Sequence, residues 1–429
     1  MLQRPLAALI TLGCKLNLAD SEEIERELRL AGFAVVDRLC EADAYVLNTC
    51  SVTHVADARS RRLVRAARRL SVVAPVVVTG CFPRSAGSDA VRDLGADMVF
   101  GSDEGGRARL IEFLRNKVSV ERPRVGLEAV PTRRTRAFIR AQEGCNDVCA
   151  FCIVPRTRGH ERSRPAAAVV AEVEAARGVG IREVVITGTQ LGAWGKDIDP
   201  VAGPRDLIAA VLAGSDVSRV RFSSLQPRDA IPGLLALWED PRLVPHFHLA
   251  LQSGSDAVLS AMRRRYTAGE FLDALGRIRA AVPEAAITTD VIVGFPGETE
   301  SDFEATLAFC REAGFARVHC FPYSRRSHTS AALMRDQVPD AVRKDRMGRL
   351  LQLADQLSLA FRMSFAGSVR PVLWEHARRT PEGLLGFGHT DNYIPVYSQA
   401  VREPNRLTAT ELGQVYHDGV WGIAPGGEE

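Results

Sequence analysis

Between residues 6 and 118 the chain alternates short, continuously apolar runs with helical stretches, and from residue 136 it does so again. In the first region LAALITLGC, ADAYVLNTC, PVVVTGC and ADMVFG read as strands. SEEIERELRLAG, ADARSRRLVRAARRL, a short piece near DAVRDLG and GRARLIEFLRNKV read as helices between and after them. A strand that is apolar on both sides must be covered on both faces, and strands linked through helices run parallel. The second region supplies six more strand candidates: AFIRAQ, REVVITG, VRFSSLQ, HFHLALQ, ITTDVIVGF and RVHCFPYS. Eight strand–helix units would close a barrel; six predict a partial, open one. The helical run AVRKDRMGRLLQLADQLSLAFRMSF ends this region. SVRPVLWEH, LLGFGHTDNYIPVYS and NRLTATELGQVYHDGVWGIAP then read as short strands with turns, which predicts a small β-barrel.

The expected architecture is therefore α/β in three parts. A parallel-sheet domain spans 1–118, a partial (β/α)6 barrel spans 136–365, and a small β-barrel spans 366–429, ending in a frayed APGGEE tail. Residues 119–135 hold two prolines and no helical period, and read as a linker.

Composition decides the compartment. Apolar residues make up 46% and charged residues 25%, an ordinary globular balance, and no apolar run approaches membrane-span length. The N-terminal apolar stretch alternates like a strand and lacks a small-residue cleavage site, so no signal peptide is expected and the protein is read as cytoplasmic. Nine cysteines, an odd number, then point to metal or redox chemistry rather than to paired disulfides. The net charge of +3 says little about partners, but the arginines are uneven. RSRRLVRAARR (Arg59 to Arg69) carries six with no acid, and RRTRAFIR (Arg133 to Arg140) carries four more. They form either a solvated helix face and a charged linker, or a phosphate-facing surface.

Three of the cysteines, Cys145, Cys149 and Cys152, are spaced C-x3-C-x2-C directly after the first strand of the six-unit region. Functional loops sit at strand C-terminal ends in parallel α/β folds. Three thiolates in one loop can hold three irons of a [4Fe–4S] cube and leave the fourth open to an exchangeable cofactor. The competing reading is a structural zinc site completed by His160 or another residue, but no second ligand half is obvious nearby. Loops after later strands make a plausible cofactor rim. ITGTQLGAWG holds Gly188 and Gln190, LQSGSD holds Ser253 and Ser255, and TTDVIVGFPGET holds Asp290, Gly294 and Gly297. A second trio, Cys14, Cys50 and Cys81, is scattered in sequence, yet each cysteine ends a predicted strand. In a parallel sheet those ends share one edge, so the trio is either a convergent ligand set or three buried strand-end residues. Cys310 and Cys320 read as packing residues, and Cys40 has no assigned role.

With Phe151 before its last cysteine, the C-x3-C-x2-C loop resembles the signature of the radical S-adenosylmethionine enzymes. The resemblance implies that the open iron binds S-adenosylmethionine and that one electron cleaves it to a 5′-deoxyadenosyl radical. TLGCKLNLADSE, LNTCSVTHVADARSRR and TGCFPR narrow this to the methylthiotransferases, a resemblance covering nearly the whole chain. It implies that Cys14, Cys50 and Cys81 hold a second [4Fe–4S] cluster. It also implies that GHTDNYIPVYS belongs to an RNA-binding TRAM-like barrel, with Tyr393 and Arg379 as candidate RNA contacts if they are not barrel core and surface charge. The expected site is thus Cys14, Cys50, Cys81, Cys145, Cys149 and Cys152 for metal. Phe151, Gly188, Gln190, Ser253, Ser255, Asp290 and Gly294 are expected around the cofactor. TLGCKLN, RAFIRAQEGCNDVCAFCIVPRTRG, FSSLQP, MRRRYTAGEF and FPYSRRSHTSAA look closest to the branch that modifies threonylcarbamoyladenosine next to the tRNA anticodon. The expected partners are a tRNA anticodon stem-loop, an external electron donor and a sulfur donor, with no membrane. Other branches act on isopentenyladenosine or on a ribosomal-protein aspartate. Outside the family, the alternatives are a non-catalytic, metal-stabilised RNA-binding protein and a two-cluster electron carrier.

Overall fold

The computed structural model describes residues 4–101, 103–118, 135–199, 201–399 and 403–423. The predicted linker lies outside them apart from Thr135, as do the APGGEE tail, Arg133 and Arg134.

The first region is a five-stranded parallel sheet: β1 (Leu6–Thr11), β2 (Ala34–Val36), β3 (Ala44–Thr49), β4 (Val76–Gly80) and β5 (Met98–Val99), in the order β2-β1-β3-β4-β5. The short edge strand β2 was not expected; its three residues give too little pattern to read. Both faces are covered, as continuous apolar strands require. Ile24 and Leu28 of helix α1 (Lys15–Leu30) pack with Leu110 and Leu114 on one face. Val64 and Ala67 of α2 (His54–Leu70) pack with Phe82 and Val91 on the other. A short helix, α3 (Cys81–Ala86), starts directly where β4 stops.

Six parallel strands follow as expected: β6 (Arg136–Arg140), then, after a small ribbon of β7 (Gln142–Glu143) and β8 (Arg162–Ser163), β9 (Glu183–Thr187), β10 (Arg219–Phe222), β11 (His246–His248), β12 (Ala286–Val293) and β13 (Arg317–Pro322). They form two three-stranded pieces, β10-β9-β6 and β11-β12-β13, joined through the parallel bridges Val220–Leu243 and Leu225–Leu249. The barrel is open between β6 and β13. Strand alternation sends Val184, Ile186, Val220 and Phe222 outward against the helices. The alternate positions, Glu183, Arg219, Arg221, His246, His248, Thr288 and Asp290, form the other face. A closed barrel fills its centre with apolar layers; here a charged inner face remains.

The C-terminal part is a closed barrel of β14 (Val369–Thr380), β15 (Gly383–Thr390), β16 (Pro395–Ser398), β17 (Arg406–Tyr416) and β18 (Gly419–Ile423). It is fastened to the partial barrel by a buried charge cluster. Glu183, with no exposed side-chain surface, accepts from Arg136 at 2.8 Å and Arg221 at 3.0 Å, and Arg136 also pairs with Glu375 of β14 at 2.6 Å. Arg221 donates to the Asp391 carbonyl at 3.1 Å. This corrects one expectation: Arg136 and Arg140 are neither linker charges nor phosphate-facing. Each turns inward to carboxylates far away in sequence, because a buried charge must be paired.

Burial alone would raise the pKa of Glu183, but Arg221, Arg136 and Arg219 outweigh it and hold the carboxyl well below the usual range. A depressed folded-state pKa stabilises the protein above the unfolded value and is lost as pH falls below about 4. Glu183→Gln is therefore expected to cost about 3–5 kcal/mol at pH 7 and to flatten the acid limb of the stability profile. Denaturant unfolding at pH 7 and pH 4 checks both; an unchanged midpoint at pH 7 would contradict the role given to this cluster.

Candidate active site

All three scattered cysteines come to the C-terminal edge of adjacent parallel strands. Cys14 caps α1 after β1, Cys50 follows β3 directly, and Cys81 opens α3 at the end of β4. Asn17 ties two of these ends together: its Nδ2 donates to the carbonyls of Leu12 at 2.7 Å and Thr49 at 3.1 Å. Gly13, at φ +117°, allows the close approach; a Cβ there would sit 2.9 Å from the Cβ of Cys50. Cys50 and Cys81 are buried. Burial pushes the Cys50 thiol up to about 11, and Cys14 and Cys81 lie near enough to add to the shift. Cys81 is raised by burial too, against the pull of Arg158, whose Nε donates to its sulfur at 3.3 Å.

The second trio sits on the loop after β6. Cys145 N–H donates to the Gly159 carbonyl at 3.1 Å, and Ala150 N–H to that of Met262 at 2.9 Å, which pins the loop at two points. Backbone N–H groups of Asp147 and Val154 each point at a sulfur, Cys145 and Cys152, at 3.4 Å. Arg264 donates to the Cys149 sulfur at 3.2 Å. Burial pushes Cys145 up to about 12 and Cys152 up to about 11.

Zinc can be tested on this geometry. Tetrahedral Zn–S bonds of about 2.3 Å place sulfurs about 3.8 Å apart. Among the described residues, the group of His, Cys, Asp or Glu whose ligand atoms gather within 4.8 Å is His248, Asp290 and His319, and it contains no cysteine. The exposed His160 faces Asn146 at 3.1 Å. Thiols too spread for one ion, yet mutually perturbing and ringed by N–H and guanidinium donors, suit a larger anionic cluster.

Arg158 joins the two trios. Besides Cys81, it donates to Asp20 at 2.7 Å and Glu143 at 3.0 Å, and to Asn17. Glu143 immediately precedes the Cys145 loop, so one buried guanidinium binds both halves of the site. Arg140 reinforces the seam through Asp20 and Glu23, both at 2.9 Å. On the other flank Arg326 reaches Asp57 at 2.6 Å and Ser51, the neighbour of Cys50, at 2.9 Å.

The expected rim residues divide. Gln190 contacts the Cys145 sulfur through its side-chain amide at 3.0 Å, and Phe151 meets Phe295 edge-on at 6.5 Å between ring centres. Gly188 lies against Gln142 and Leu191. Asp290 sits on the inner face at 3.4 Å from His248. Gly294 is buried at φ +72°, its N–H donating to Glu298 at 2.7 Å. Ser253 and Ser255 depart from the rim reading. Ser253 is fully buried against Thr306 at 3.2 Å, and Ser255 caps the helix Asp256–Ala261 and donates to Asp302 at 2.6 Å. Both hydroxyls are committed to the fold. Cys310 and Cys320 pack with the barrel core as expected.

Lys15, Asn17, Asp20, Arg158, His248 and His319 went unassigned. A signal existed for three of them: Cys14, Asn17 and Asp20 are three residues apart along one helix face, and Arg158 lies in the segment following Cys152. Lys15 is half-buried; burial, then Arg221, pushes its pKa down to about 8. Burial lowers His319 to about 4. Asp290 would be raised by burial, but His248, through its hydrogen bond and charge, together with His319 and Lys15 outweighs that and lowers it. At the β13 edge a cavity of about 660 Å³ opens between the two barrels, lined by Thr288, Arg317, His319, Arg362, Tyr393 and His417 among others. Tyr393 is half-buried there, its ring 4.4 Å from the Arg221 guanidinium and stacked on His389. Arg379 is exposed on β14, and five of the six α2 arginines, all but Arg68, are exposed.

Residues 139–310 match the family described as "Radical SAM superfamily", and residues 7–101 match "Uncharacterized protein family UPF0004". The chain is 35% identical over 404 residues to "Threonylcarbamoyladenosine tRNA methylthiotransferase MtaB" of Bacillus subtilis, covering 91% of this chain and 89% of that protein. It is 38% identical over 385 residues to "tRNA-2-methylthio-N(6)-dimethylallyladenosine synthase" of Acidothermus cellulolyticus, covering 85% and 76%. In fold it is similar to the radical S-adenosylmethionine methyltransferase TsrM from Kitasatospora setae, with TM-score 0.57, 16% identity and 77% of each chain covered.

Proposed function

Because this chain belongs to the radical S-adenosylmethionine methylthiotransferase family, we propose that it converts N6-threonylcarbamoyladenosine next to the tRNA anticodon to its 2-methylthio derivative. The observation that carries the substrate is the extent of likeness to threonylcarbamoyladenosine-modifying relatives, which spans 90–96% of this chain. A second reading, dimethylallyladenosine, is favoured by relatives of 38–39% identity that align over 85–88%.

The family's [4Fe–4S] cluster and S-adenosylmethionine fit the donor set at Cys145, Cys149 and Cys152: three sulfurs, aimed N–H groups and Arg264. When bound they supply the one-electron chemistry that opens an unactivated C–H bond. The like donor set at Cys14, Cys50 and Cys81, with Arg158, fits a second cluster that handles sulfur. Arg158 and Arg264 offset thiolate charge at the two trios. Gln190, Phe151, Gly188, Asp290 and Gly294 would border the cofactor. The inner face and the seam keep water from the reacting base, and the cavity beside Tyr393 gives that base a way in. Exposed arginines on α2, with Arg379, suit the phosphates of a stem-loop. An external electron donor and a sulfur donor complete the reaction, in the cytoplasm. No helix among the described residues is long and apolar enough to cross a membrane.

Mass analysis of tRNA nucleosides from cells with and without the gene tests the substrate. Disruption is expected to remove 2-methylthio-threonylcarbamoyladenosine. Loss of the dimethylallyl counterpart alone would overturn the assignment.

A further inference from the structure

Two cations, Lys15 on α1 and Arg221 on the inner face of the partial barrel, are left with unmet donors. Lys15 opens α1 immediately after Cys14, is half-buried, and makes no hydrogen bond or ion pair with a described residue. The group whose charge it feels most is not a carboxylate but the like-charged Arg221. Arg221 is 1% exposed; its Nε and Nη2 are engaged by Glu183 and the Asp391 carbonyl, while its buried Nη1 has no acceptor. The carboxylate that Lys15 feels most, Asp290, is already engaged by His248 at 3.4 Å. Like charges held together away from water are costly unless an anion joins them.

We infer that Lys15 and Arg221 form the receptor for the carboxylate on the substrate's amino-acid substituent. They would thereby select a base with a charged substituent over one with a plain alkyl group. The inference rests on the threonylcarbamoyl reading above. Threonine joined through its amino nitrogen keeps a free carboxylate, ionised at neutral pH; a dimethylallyl group has no charge. The cavity at the β13 edge approaches this pair through Tyr393, whose ring lies 4.4 Å from the Arg221 guanidinium. Its wall includes His319, whose ring lies 5.8 Å from that of His248, beside Asp290. The trio His248, Asp290 and His319 is gathered like metal ligands. A dication there would meet the charge of Lys15, so this neighbourhood suits an anion instead.

The test uses the iron-reconstituted full chain and two synthetic anticodon stem-loops, one carrying threonylcarbamoyladenosine and one its primary carboxamide. Binding is read by fluorescence anisotropy at matched iron content. The wild type is expected to prefer the acid by about ten- to a hundredfold. Lys15→Gln should lose most of that preference, and Lys15→Arg, which keeps the charge, should retain much of it. A Lys15→Gln protein with the wild-type preference would overturn the inference, as would a wild type that binds acid and amide equally. A wild type that modifies only a dimethylallyl stem-loop would fail differently: it would remove the substrate reading itself, before any variant is compared.

Discussion

Cys149→Ala is expected to reduce 5′-deoxyadenosine formation from S-adenosylmethionine to background. Cys149 is the middle thiol of its loop, and its sulfur is the one Arg264 addresses at 3.2 Å. Removing it leaves two thiols, Cys145 and Cys152, which cannot hold three corners of a cube. It also leaves the half-buried Arg264 guanidinium without one of its two acceptors, Tyr266 being the other. Two complete cubes would give about eight iron per chain and the variant about four. Anaerobic reconstitution followed by iron analysis and product chromatography reads both quantities. Cys40→Ala, a loop cysteine whose side chain has no assigned partner, should match the wild type in both. A Cys149→Ala enzyme that forms 5′-deoxyadenosine at the normal rate would refute the placement of the cofactor at this loop.

Cys50→Ala should separate the two halves of the reaction. Cofactor cleavage is expected to survive at a measurable rate, while methylthio product disappears and iron again falls to about four per chain. The reason is structural. Cys50 ends β3 in the first sheet, and its loop is held by Asn17, Ser60 and the Arg326–Ser51 contact, none of which touches the Cys145 loop. Arg158, which does bridge the halves, binds Cys81 rather than Cys50. Full methylthio product from Cys50→Ala would remove the second cluster from the proposal.

Much of this could be read along the chain. Six strands of the barrel, the small C-terminal barrel and the strand-end positions of Cys14, Cys50 and Cys81 follow from patterns a few residues long. The edge strand β2 escaped because three half-buried residues carry almost no period. Ser253 and Ser255 misled because a glycine–serine loop looks the same whether its hydroxyls face a cofactor or, as here, Thr306 and Asp302.

Local periodicity by itself determined the parallel sheets and the open barrel, and spacing the loop of Cys145, Cys149 and Cys152, since each depends on neighbours within one or two turns of chain; Cys14, Cys50 and Cys81 were legible only as strand ends. Only the tertiary structure decided the fate of the charges. Arg136 and Arg140 turned inward, Arg158 became the bolt between the two thiol trios, and Lys15 was left without a hydrogen bond or ion pair to a described residue. A buried charge is placed by partners that can lie more than a hundred residues away, as Asp20 does from Arg158, and no local pattern contains them.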